Sequence, residues 1–204
     1  MIYRPVREKS RKTLLDQARK MLKATGYDEV SLVSLSTCDY SDIQGLVKDL
    51  IEEHGKNNVS VALPSIRVDA FSVDLLKEIQ KVRKTGLTFA PEAGSQRMRD
   101  VINKGLSEER ILEAAKNAFE SGWSTIKLYF ILGVPYETVE DAAEIGLLAE
   151  KIADQYFAVP KHIRNKGFRI TVSTSILVPK PFTPFQWAPM EKMDVVTEKI
   201  NAVK

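Results

Sequence analysis

The residues of this 204-residue chain best suited to chemistry gather where short apolar runs give way to polar ones. Five such junctions read Ser36-Thr37-Cys38-Asp39-Tyr40, Pro64-Ser65-Ile66-Arg67-Val68-Asp69, Pro91-Glu92-Ala93-Gly94-Ser95, Gly133-Val134-Pro135-Tyr136-Glu137 and Pro179-Lys180-Pro181. Glu92 offers a carboxylate that accepts from a ligand ammonium or ribose hydroxyl, or else an acid at the positive end of a helix. Lys104 suits a ligand carboxylate, a helix dipole or plain surface. Lys127 and Tyr129 alternate within TIKLYFIL and so face one side. A lysine in so apolar a strand needs a partner or a wet cavity, which gives it an interior-facing role. Cys38 reads as a small buried hydrophobe, since no base lies near it. It is the only cysteine, and His54 and His162 are far apart, so no disulfide framework and no metal site is expected within the chain. Nucleophile elbows, P-loops and GxGxxG turns are absent.

These residues must be positioned by alternating helices and strands. Glu8 to Thr25 reads as a helix with Leu14, Leu15, Ala18, Met21 and Leu22 on one stripe, ended by Gly26. Val30 to Leu35 reads as a strand, Ser41 to about Gly55 as a helix, and Val59 to Leu63 as a strand. Ser72 caps a helix to about Lys84. Leu87 to Ala90 is the next strand, followed by a helix ending at Gly105 and a longer one from Ser107 to Glu120. Thr125 to Leu132 is the strongest strand. Thr138 caps a helix to about Tyr156, with Glu140 and Asp141 at its positive end. Phe168 to Val178 and Glu191 to Val203 give a last strand and helix.

About five or six β-α units in a row, without hairpin signals, call for parallel strands joined by helical crossovers. A doubly wound sheet and a complete or partial β/α barrel both fit, and both carry their chemistry at the carboxyl ends of the strands. The net charge of +3 does not point to nucleic acid. The basic runs RPVREKSRK and KHIRNK read as solvated surface, with polyanion contact as the alternative. No apolar run reaches the roughly 18 residues of a membrane span, and the start lacks a signal-peptide core, so a cytoplasmic location is expected.

The run PEAGSQRMRDVINKGLSEERILEAAKNAFESGWSTIKLYFILGVPYETVEDA resembles the fourth and fifth βα units of the radical S-adenosylmethionine (SAM) superfamily. ILGVPYETVED matches the superfamily's apolar-Gly-x-Pro-x-Glu/Gln-Thr-x-Glu-Asp run at nearly every position, and ILVPKPFTPFQW resembles its sixth strand and Pro-rich loop. Within the superfamily the chain resembles bacterial proteins of ill-defined substrate, often with a DUF2344-type or B12-binding-like region. In that group the MIYRPVREKS stretch follows a Cys-x3-Cys-x2-Cys motif, which this sequence does not contain.

The resemblance implies a single incomplete α/β domain over residues 1–204: a partial, TIM-barrel-like (β/α) barrel with strands 2 to 6, lacking the first strand and cluster loop. It implies SAM contacts from Ser36, Thr37, Asp39, Ser65, Arg67, Glu92, Lys104, Lys127, Tyr129, Gly133 and Val178. The turn from Ile131 to Pro135 would flank the adenine. The full-length parent would bind a [4Fe-4S] cluster and SAM and generate a 5'-deoxyadenosyl radical for hydrogen abstraction. The fragment alone is expected to be inactive and to hold no metal. The substrate is open, and further domains of the same polypeptide are expected partners. Two other readings stand beside this one: a conventional β/α-barrel enzyme acting on a phosphorylated or carboxylated metabolite, and a non-catalytic interaction barrel.

Overall fold

The computed structural model describes residues 7–34, 37, 40–62 and 87–204. The chain divides into two compact units, residues 1–86 and 87–204. The helix expected from Ser72 to Lys84 lies outside the described residues, as do Leu35 and Leu63 at the ends of two expected strands.

In the first unit, helix α1 (Arg11–Thr25) is opened by the Ser10 side chain, which accepts from the Thr13 amide at 3.2 Å. It starts later than Glu8 because that cap fixes its first turn. Gly26, at φ 69°, closes it in the left-handed conformation that favours glycine. Of the expected apolar stripe only Ala18 is fully buried, and Met21 is exposed. Ion pairs tie this helix to α2 (Ile43–His54): Arg11 with Asp42 and Asp49, and Arg19 with Glu53. Strands β1 (Glu29–Ser31) and β2 (Ser60–Ala62) pair in parallel, Val30 opposite Val61, with α2 as the crossover. Strand β1 stops at Ser31, shorter than expected.

The second unit runs β3 (Leu87–Glu92), α3 (Gln96–Val101), α4 (Glu108–Glu120), β4 (Thr125–Leu132), α5 (Val139–Ala158), β5 (Arg169–Ile176) and α6 (Met193–Val203). The three strands form one parallel sheet in the order β3-β4-β5. In neither unit do the described strands close into a barrel. Parallel strands alternating with helices are thus the architecture, as the sequence predicts.

Period-two alternation along β4 buries Ile126, Leu128, Phe130 and Leu132. Helix α5 packs on β4 and β5, and α4 and α6 pack on α5. The buried helix residues include Ile111, Ala115 and Phe119 of α4 and Ala142, Ile145, Leu148 and Ile152 of α5. Two strand ends of this unit differ from expectation by two residues, both for a reason of proline. β3 continues through Pro91 to Glu92 because a bulge between Phe89 and Glu92 accommodates a residue without an N–H. β5 stops at Ile176 instead of Val178: Leu177 donates to Leu132 at 2.8 Å, and Pro179 follows closely. No described helix is long and apolar enough to cross a membrane.

The loop after β3 lies directly on α5. A Cβ on Gly94 would fall 2.7 Å from the Glu144 carbonyl carbon and 2.8 Å from Ile145 Cγ1, and would also press on the Ile145 amide nitrogen. Backbone cannot yield as a flexible side chain does. Gly94→Ala is therefore expected to destabilise this unit by about 1–3 kcal/mol, read as a lower urea midpoint; an unchanged midpoint would contradict the close approach.

Candidate functional site

Loops at the carboxyl ends of parallel strands have no ladder partners, so side chains must hold them. The loop after β3 is held first by Arg99, whose side chain is fully buried. Its guanidinium donates to the carbonyls of Ala93 (3.2 Å), Gly94 (2.6 Å) and Leu106 (3.0 Å) and to Gln96 Oε1 (3.0 Å). Burial lowers its pKa, but an arginine stays charged. Ser95 then caps α3 by accepting from the Met98 amide at 3.1 Å.

Asp141 joins this loop to the one after β4. Its carboxylate accepts from Ser95 Oγ at 2.6 Å and from Arg97, both on the β3 side. On the β4 side it accepts from the Thr138 amide at 2.9 Å and the Thr138 hydroxyl at 3.1 Å, which completes a capping box on α5. Arg97 also donates to the Tyr136 carbonyl at 2.8 Å. Burial works to raise the Asp141 pKa, but the hydrogen bonds from Arg97, Ser95 and Thr138 outweigh it and hold the carboxyl far below its ordinary range. Beneath both loops Ala93, Met98 and Val134 form a small core, with Ile102, Ile131 and Phe185 packed against it.

The loop after β4 turns at Gly133, φ 78°, whose amide donates to Glu137 Oε2 at 2.7 Å. Glu137 is almost fully buried, and burial raises its pKa in spite of that bond and of the Lys199 ammonium 3.1 Å away.

The sequence-predicted residues fall in three groups. Glu92 and Lys104, weighed separately in the sequence, form one ion pair at 3.1 Å, with Glu92 in the left-handed region at φ 68°. Lys127 and Tyr129 share one face of β4, and the Lys127 ammonium sits 4.6 Å from the centre of the Tyr129 ring. Register places Thr88 and Thr171 beside Lys127, and Ser173 beside Tyr129. That polar face opposes the one facing the helices. Gly133 holds the β4 turn, and Val178 lies exposed beyond β5. Thr37 belongs to the other unit: it is buried and donates to the Leu32 carbonyl at 3.1 Å. Ser36, Asp39, Ser65 and Arg67 lie outside the described residues, as does Cys38. Of the loop FTPFQW, Phe182 and Trp187 are exposed while Phe185 packs inward.

Sequence reasoning missed Arg99, the Ser95–Asp141–Arg97 link and the Glu137–Lys199 pair. Two of these had a signal. Thr138 and Asp141 stand at capping-box spacing, and Lys199 lies on the stripe of Val196 and Val203, where a cation demands a partner. Arg99 had none. Among the described residues no group of three or more His, Cys, Asp or Glu is placed to hold a metal.

Residues 1–149 match the Radical SAM superfamily. The chain is 33% identical over 198 residues to an uncharacterized protein of Methanocaldococcus jannaschii, covering 97% of this chain and 40% of that protein. It is 32% identical over 96 residues to a putative methylthiotransferase of the same organism, covering 47% of this chain and 21% of that one. The chain thus spans less than half the length of the curated relatives it matches. Its fold is similar to that of Elp3 from the archaeon Methanocaldococcus infernus, solved with an N-terminal deletion (1–46). The TM-score is 0.57 at 15% identity, covering 96% of this chain and 52% of that one.

The Asp141 link sets a pH dependence. A carboxyl with a depressed folded pKa contributes its full stability above its ordinary value of 3.8 and loses it as the pH falls below. Asp141→Asn should therefore cost about 2 kcal/mol at pH 7 and much less near pH 2. Urea midpoints at the two pH values test this; equal losses at both would contradict it.

Proposed function

Since the chain belongs to the radical SAM superfamily, we propose that its loops after β3 and β4 grip SAM for a cluster whose thiolates lie outside these 204 residues. The observation that carries this reading is the Asp141 link, which fixes both loops as one rim at the ends of β3 and β4. A preformed rim spares the ordering entropy that binding otherwise costs.

Each role follows from side-chain chemistry. Glu92 is a half-buried acceptor for the SAM ammonium or ribose hydroxyls, and Lys104, already beside it, is a donor for the carboxylate. Tyr129, partly exposed, presents a ring and a hydroxyl on the polar face of the sheet. The Ile131 to Pro135 turn offers apolar walls to the adenine, and Val178 offers backbone groups. The positive φ of Glu92 is sparsely populated for a residue with a side chain, and such backbone strain concentrates at ligand sites.

The superfamily works with SAM and a [4Fe-4S] cluster. Iron–sulfur clusters are held by cysteine thiolates. One cysteine, Cys38, does not supply three, so the residues present do not fit the cluster. In this reading the whole protein is a radical SAM enzyme with further regions of the same polypeptide, and it abstracts hydrogen from a substrate held on the polar sheet face.

Three measurements test the reading. Equilibrium dialysis should show SAM uptake by the protein, weakened about tenfold or more in Glu92→Ala through loss of a charge-assisted bond; no uptake by the wild type would overturn it. Anaerobic treatment of the 204-residue chain with iron and sulfide should leave it colourless, and stoichiometric iron and sulfide would refute the misfit. Residues upstream of Met1 in the source reading frame should contain Cys-x3-Cys-x2-Cys; their absence would sink the proposal.

A further inference from the structure

The last helix of the second unit carries a buried charge. Lys199 stands in the middle of α6 with 1% of its side chain exposed. Its ammonium lies 3.1 Å from Glu137, itself 2% exposed, and 3.0 Å from Glu191, which is partly exposed. The Glu137 oxygen that faces Lys199 is also the oxygen that accepts from the Gly133 amide at 2.7 Å. One carboxylate oxygen therefore connects the last helix of the chain to the first residue of the turn after β4. Glu191 adds a second contact: a Cβ on Gly133 would come within 3.1 Å of the Glu191 Cβ, so the segment leading into α6 closes over the turn.

A buried carboxylate holds its geometry only if its charge is balanced. Without the ammonium the charged Glu137 is stranded, and it swings towards water and gives up the bond that fixes Gly133. We infer that Lys199 is a positioning residue for SAM: it balances the buried Glu137 and so holds the Gly133–Glu137 turn in the shape that accepts the adenine. Lys199 touches no ligand itself, and its effect passes through Glu137 and the turn. The inference rests on the SAM reading given above.

The test combines SAM affinity, by equilibrium dialysis, with hydrogen exchange at the Gly133 amide in the same protein. Lys199→Met keeps an unbranched stem but removes the charge. It should weaken SAM binding at least tenfold and speed Gly133 exchange at least tenfold. The double variant Lys199→Met/Glu137→Gln removes both charges, and the neutral amide oxygen still accepts from Gly133. It should recover affinity to within about threefold of the wild type, which a purely structural loss of packing would not allow. Wild-type affinity and exchange in Lys199→Met would overturn the inference. So would a double variant as weak as the single one. A wild type that takes up no SAM would instead overturn the SAM reading, and the exchange measurement alone would then decide whether Lys199 holds the turn.

Discussion

The second unit depends on one carboxylate. Asp141 stands where α5 begins, and it takes hydrogen bonds from the loops after two neighbouring strands. Parallel sheets create this need. Each β-α unit delivers its loop to the same edge, and nothing in the ladder fixes one loop to the next. A charged acceptor with several lone pairs can answer to donors from both sides at once. A hydroxyl in its place would serve at most two. The capping box is thus more than a helix start, because the atoms that cap α5 also set the relation of Ser95 and Arg97 to Tyr136 and Thr138.

Buried charge is used in two ways around this edge. Arg99 makes all four of its named hydrogen bonds to neutral oxygens, three of them backbone carbonyls. Its donors satisfy groups that the tight Ala93–Gly94 path would leave without partners. Lys199 and Glu137 instead balance one another in near-complete burial. A buried ion pair of this kind contributes little net stability, yet removing one partner costs several kcal/mol because the other is stranded. It therefore suits the fixing of a shape better than the strengthening of a fold. Both devices act on short loops, where geometry matters more than stability.

Much of the second unit was legible in the sequence because its signals were local. Strand β4 runs over the eight residues of TIKLYFIL, and Ser107 and Thr138 cap helices where propensity and capping agree, whereas the helix expected to end at Gly105 stops at Val101. The placing of Lys127 and Tyr129 on one face needed only the two-residue period. What the sequence could not carry was pairing at a distance. Glu92 with Lys104 spans 12 residues, Ser95 with Asp141 spans 46, and Lys199 reaches back to Glu137 from another helix. Local pattern can say that a residue such as Lys199 needs a partner, but it does not say which residue the partner is. The Arg11 and Arg19 pairs show the same limit in the first unit, where an apolar stripe was expected to hold α1 and ion pairs join it to α2 instead.

The polar face of the β3-β4-β5 sheet follows from the same economy of positions. Alternation leaves every second residue of β4 facing away from α4 and α5, and a sheet covered by helices on that side too would carry apolar residues there. The sequence places Thr88, Lys127, Thr171, Tyr129 and Ser173 on it. Their side chains cost little in contact with water or with a polar ligand and a great deal under a helix. The face is therefore chemically committed to something wet or polar, and the Lys127 ammonium resting against the Tyr129 ring shows how the lysine is kept near the sheet without a carboxylate of its own strand. Rim and face differ in kind: the side chains of the rim bond one another, while those of the face are polar and stand on the side of the sheet away from α5.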